Sequence, residues 1–65
     1  MSGLFPNDRP TVSLDRQIRA VEREIDMRRQ VYPRRVADGK MSQQFADEEL
    51  AVMEAVLATL KRIAQ

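Results

Sequence analysis

The stretch "VADGKMSQQFADEEL", residues 36–50, decides the fold. Gly39 suits the left-handed cap that ends many helices, because it has no Cβ to clash there. Three residues later Ser42 is a good N-cap, able to accept a hydrogen bond from an exposed N–H of a new helix. Asp47, Glu48 and Glu49 follow near the start of that helix, where carboxylates complement its dipole. Only "DGKM" separates the two helical segments, so two helices should fold back on each other as an antiparallel hairpin.

Downstream of Ser42, residues Phe45, Ala46, Leu50, Val52, Met53, Val56, Leu57, Leu60 and Ile63 recur at helical spacing. Alanines at 46, 51, 55, 58 and 64 add intrinsic helix propensity, and Lys61 and Arg62 suit the C-terminal end. Upstream, Ser13 is a second N-cap candidate with Asp15 in the first turn. Leu14, Ile18, Val21, Ile25, Tyr32 and Val36 then give an apolar stripe, flanked by the i,i+4 pairs Asp15–Arg19 and Glu24–Arg28. This first helix should run about 25 residues, roughly 37 Å, and end near Gly39. The fold class is all-α, with a flexible tail over 1–12 containing Pro6 and Pro10, and a helical hairpin domain over 13–65.

The apolar arc of the second helix covers about 160°, wider than one partner helix needs. One flank (Leu50, Met53, Leu57, Leu60) and the other (Phe45, Val52, Val56, Ile63) are both able to meet the first helix. Sequence alone does not assign them. The unused flank would pack on a second copy, giving a homodimeric four-helix bundle. Size argues the same way. A 65-residue chain is marginal as a monomer, and with no cysteine and no histidine it has neither disulfides nor the usual zinc ligands.

Those absences also weigh against catalysis. Acid–base work would fall to carboxylates, lysine or Tyr32, and two glycines, Gly3 and Gly39, make no phosphate-cradling loop. The expectation is a non-enzyme without metal or cofactor. No apolar run approaches the ~18 residues of a membrane span, and the N-terminus lacks the pattern of a secretory signal. A cytoplasmic protein is expected. Net charge is +1, but residues 13–40 carry eight basic against five acidic side chains and residues 41–65 two against four. That bias fits two segments facing each other.

Pro33 lies inside the first helix, where it removes the hydrogen bond to the Arg29 carbonyl at a cost of about 3 kcal/mol. Either the helix kinks there or it breaks, leaving residues 34–39 as a separate turn. Ile25, Tyr32 and Val36 stay in register across the proline, which favours the kink. Around it stand five cations. Arg28 and Arg35 fall on one flank of the stripe, Arg29 and Lys40 on the other, and Arg34 points away. Glu49 sits within the apolar arc of the second helix, where a lone carboxylate would be costly. It lies opposite Tyr32, within reach of Arg28 or Arg35, so those two arginines, with the Tyr32 hydroxyl, are expected to form a structural polar network with it. Arg29, Arg34 and Lys40, with Tyr32, remain as the candidate binding patch.

The run "MRRQVYPRRVADGKMSQQFADEELAVMEAVLATL", Met27–Leu60, resembles a family of small proteins of tailed bacteriophages and prophages. The matching positions are Arg28, Val31, Tyr32, Pro33, Val36, Gly39, Lys40, Met41, Ser42, Ala46, Glu49 and Met53. Arg35 departs from the bulky aromatic often found there. The resemblance implies a phage origin and a hairpin, and carries no assigned activity. By analogy with small early phage proteins, the leading expectation is an interaction protein that binds and modulates a host defence, transcription or signalling factor. The alternative is an anion-binding oligomer, sequestering a nucleotide second messenger or binding nucleic acid through Arg28, Arg29, Arg34, Arg35 and Tyr32. A structural role in the virion is a third.

Overall fold

Local capping chemistry sets the limits of both helices. The computed structural model describes residues 11–65 and contains two helices, α1 (Leu14–Ala37) and α2 (Gln43–Ala64). Ser13 caps α1, its Oγ accepting from the Arg16 N–H at 3.1 Å. Ser42 caps α2 in the same way, accepting from the Phe45 N–H at 3.0 Å. Most of the expected tail lies outside the described residues. At its last position, the Val12 carbonyl accepts from the Gln17 amide at 3.0 Å, so that residue is tied to the first turn of α1.

The turn is a Schellman motif. Gly39 takes φ +73°, its N–H donates to the Val36 carbonyl at 3.0 Å, and the Lys40 N–H donates to the Arg35 carbonyl at 2.9 Å. Helix α1 therefore stops at Ala37, with Asp38 as C-cap. Pro33 does not break it. The helix runs through the proline to Ala37, so residues 34–37 belong to α1 and are not a separate turn.

The two helices pack side by side through one narrow seam. Among the described residues only Ile25 of α1 and Ala46 of α2 are buried, at 3% and 2% exposure. Leu14, Ile18, Val21 and Val36 from α1 and Leu50, Met53, Leu57 and Leu60 from α2 are half-buried around them. This settles which flank of α2 serves the hairpin. Phe45, Val52, Val56 and Ile63 remain on the outside, between 41% and 60% exposed.

Candidate functional site

The two long edges of the hairpin differ in chemistry. On one edge, ion pairs cross between the helices: Arg29 with Glu54, and Lys61 with Glu22 at 3.5 Å. Ile25 and Leu57 lie beneath them in a shallow cleft also lined by Asp26. At about 100° per residue, Glu22 and Arg29 share one side of the α1 stripe, and Glu54 and Lys61 share the adjoining side of α2. Charge closes this edge.

The opposite edge has a single polar cluster centred on Arg28. Its Nε donates to Glu24 at 2.9 Å, one turn back on α1, and its Nη1 lies 3.7 Å from Glu49 of α2. The guanidinium stands 6.0 Å from the Tyr32 ring centroid, at the outer limit of a cation–π contact. The Glu24 hydrogen bond raises the Arg28 pKa above its ordinary value, against the opposing effect of burial, with the charges of Tyr32, Glu24 and Glu49 assisting. Beyond this cluster the face carries a row of exposed apolar side chains. Phe45, Val52, Val56 and Ile63 align within about 40° of one another on the α2 wheel. A shallow depression lined by Val52, Ala55, Val56, Thr59 and Leu60 lies along them.

The turn gathers the remaining cations. Arg34, Arg35 and Lys40 are exposed and have no carboxylate within 4 Å among the described residues. The C-terminal carbonyls of α1 favour positive charge here, which is why three cations are tolerated together.

These placements correct two expectations. Arg29 is not part of an unpaired patch, because Glu54 comes within ion-pair reach across the closed edge. Arg35 does not join the Glu49 network. It projects into solvent in the last turn of α1, leaving Arg28 as the arginine near Glu49. Tyr32 reaches that network through its ring, and its hydroxyl makes no hydrogen bond among the described residues. Lys40 and Arg34 stand at the turn as expected surface cations, now joined by Arg35. Pro33 is exposed on α1, and Gly39 and Ser42 build the turn.

A feature not singled out from the sequence is the row Arg16, Arg19 and Arg23 on the outer face of α1. Its i, i+3, i+7 spacing was the available signal. Arg19 pairs with Asp15, one turn back. Among the described residues no three carboxylate, histidine or cysteine side chains come together as a metal site would require, and no helix is long and apolar enough to cross a membrane. No protein-family model matches the chain, and neither a curated protein nor a solved structure shows significant similarity to it.

Proposed function

We propose that this chain is a non-enzymatic helical interaction protein of phage type. In this reading it binds a host defence, transcription or signalling protein in the bacterial cytoplasm and modulates or inhibits it. The observation that carries the reading is the row Phe45, Val52, Val56 and Ile63, apolar side chains left 41–60% exposed along one face. Four exposed apolar side chains aligned on one face mark a protein contact more than a solvated surface. The phage resemblance read from the residue order of 27–60 is the ground for the host-directed role, and a sequence without histidine or cysteine is the ground for a role without catalysis.

The cationic turn adds a second contact, suited to an acidic partner surface. The test is affinity capture from host lysate, followed by reconstitution with the purified captured protein. Wild type is compared with Val52→Lys/Val56→Lys and with Arg34→Glu/Arg35→Glu/Lys40→Glu. Reconstituted binding that is lost in either variant supports the reading. Binding that is equal for all three proteins rules out both surfaces as the contact.

Anion binding is the second reading, favoured by Arg34, Arg35 and Lys40 standing together without carboxylate partners among the described residues. It is the weaker one, since Arg28 and Arg29 are engaged by Glu24 and Glu54. Calorimetry with cyclic nucleotides, and DNA retardation at two salt concentrations, test it. No heat and no retardation at low salt would remove it.

A further inference from the structure

The open face of α2 has a self-complementary pattern. Its seam residues are Phe45, Glu49, Val52, Val56, Thr59 and Ile63, in alternating steps of four and three, the spacing of a coiled-coil stripe. The six positions are mirrored about residue 54. Phe45 is the counterpart of Ile63, Val52 of Val56, and the polar Glu49 of the polar Thr59. We infer that a second copy of this chain covers the face, α2 lying antiparallel on α2 about a two-fold axis at the level of residue 54, between Val52 and Val56.

Two-fold contacts require a surface that complements itself, and this seam does so in one orientation. Antiparallel pairing places the two polar seam residues in the same layer, where the Thr59 hydroxyl donates to the Glu49 carboxylate of the second copy. Parallel pairing would instead set Glu49 against its own twin, a like-charge contact.

The flanks of the seam agree. On one side run Ala46, Met53 and Leu60, which are buried or half-buried toward α1. On the other run Glu48, Ala55 and Arg62, seven residues apart and exposed. In the antiparallel pair, Glu48 meets Arg62 of the second copy twice, at symmetry-related positions, and the small Ala55 meets itself at the axis. Arg62 has no carboxylate partner among the described residues, and Glu48 is bonded only to the Gln44 amide, at 3.3 Å. Both ends of the interchain pair are available.

Need points the same way. Among the described residues the hairpin buries two side chains, and a small chain without cysteine gains most from association. The stripe from Phe45 to Ile63 runs about 27 Å, nearly the whole of α2, so a second copy would cover all of it at once.

This inference rests on the reading of the α2 face as a protein contact and gives that face to the second copy, which leaves the cationic turn as the contact for a host protein; the experiment separates the two occupants. The full chain is examined by sedimentation equilibrium over a micromolar to millimolar series. A concentration-dependent dimer is expected. Glu48→Arg alone should weaken it about tenfold, and Glu48→Arg with Arg62→Glu should restore it.

Because the chain has no cysteine, single introduced thiols report the register. Under mild oxidation Ala55→Cys should form a disulfide dimer. Thr59→Cys should not, because its copies lie roughly 15 Å apart in antiparallel register, beyond disulfide reach. Cross-linking of Thr59→Cys but not Ala55→Cys overturns the antiparallel register. A monomer at every concentration overturns self-association, while loss of reconstituted host-protein binding in Val52→Lys/Val56→Lys would still uphold the face as a heterologous contact.

Discussion

Arg28 Nη1 lies 3.7 Å from Glu49 Oε1, linking α1 to the carboxylate within the α2 seam. The same guanidinium is held more closely by Glu24, at 2.9 Å. The cluster is therefore anchored within α1, and Glu49 is its outer member. Glu49→Gln should lower stability least, Glu24→Gln more, and Arg28→Ala most, since the last removes both ion pairs and the guanidinium over the Tyr32 ring. Chemical denaturation of the three variants checks the order. A larger loss for Glu49→Gln than for Glu24→Gln would make the interhelical contact the anchor.

Gly39 offers a separate test, because its cost is a backbone cost alone. At φ +73° a Cβ is disfavoured, yet apart from the adjoining residues no heavy atom lies within 4 Å of where that Cβ would stand. Gly39→Ala should destabilise the hairpin by about 1 kcal/mol, and Gly39→Asn by less. In a domain of this size that is a Tm lower by about 4–8 °C for alanine. Thermal circular dichroism reads it directly. No change in Tm would mean that the turn readily adopts a different conformation.

The turn was legible for the same local reason. Gly39 and Ser42 act through their own backbone and the residue three places on, so no knowledge of the partner helix is needed. The antiparallel hairpin follows from the short connection between them. The rotation of each helix about its axis was not legible. Both flanks of the α2 arc are apolar, and only packing against α1 determines that Leu50, Met53, Leu57 and Leu60 turn inward. The same rotation decides which carboxylate each arginine meets. Arg28 and Arg29 are neighbours in sequence but leave the helix about 100° apart. One therefore reaches Glu49 and the other Glu54. Glu54 lies outside the apolar arc, so the sequence offered no reason to pair it.

Burial separates the roles of Ile25 and Phe45. Ile25 is 3% exposed, and Ile25→Ala should cost about 2–4 kcal/mol, a large part of the total stability of so small a fold. Phe45 is 50% exposed, and Phe45→Ala should cost the single hairpin little. Urea melts at low and high protein concentration distinguish them. Ile25→Ala should be destabilised at both, and Phe45→Ala chiefly at high concentration, where the proposed pair would cover the α2 face. Equal losses at both concentrations for Phe45→Ala would place its role within the hairpin.

Pro33 provides the last prediction. Helix α1 continues through it, yet the proline has no N–H for the Arg29 carbonyl one turn back, and its ring is exposed. Pro33→Ala restores that donor and removes the ring's clash with the preceding turn, a gain of up to about 3 kcal/mol. The more flexible unfolded chain offsets roughly 0.4–1 kcal/mol of it. A net stabilisation of about 1–2 kcal/mol is expected, read as a higher urea midpoint with an unchanged slope. The opposite sign would mean that Val36, half-buried beyond the proline, depends on a bend at Pro33 to reach α2. In that case the loss of packing at Val36 outweighs the regained hydrogen bond. The slope would then fall as well, because less surface would be buried at the turn end of the hairpin.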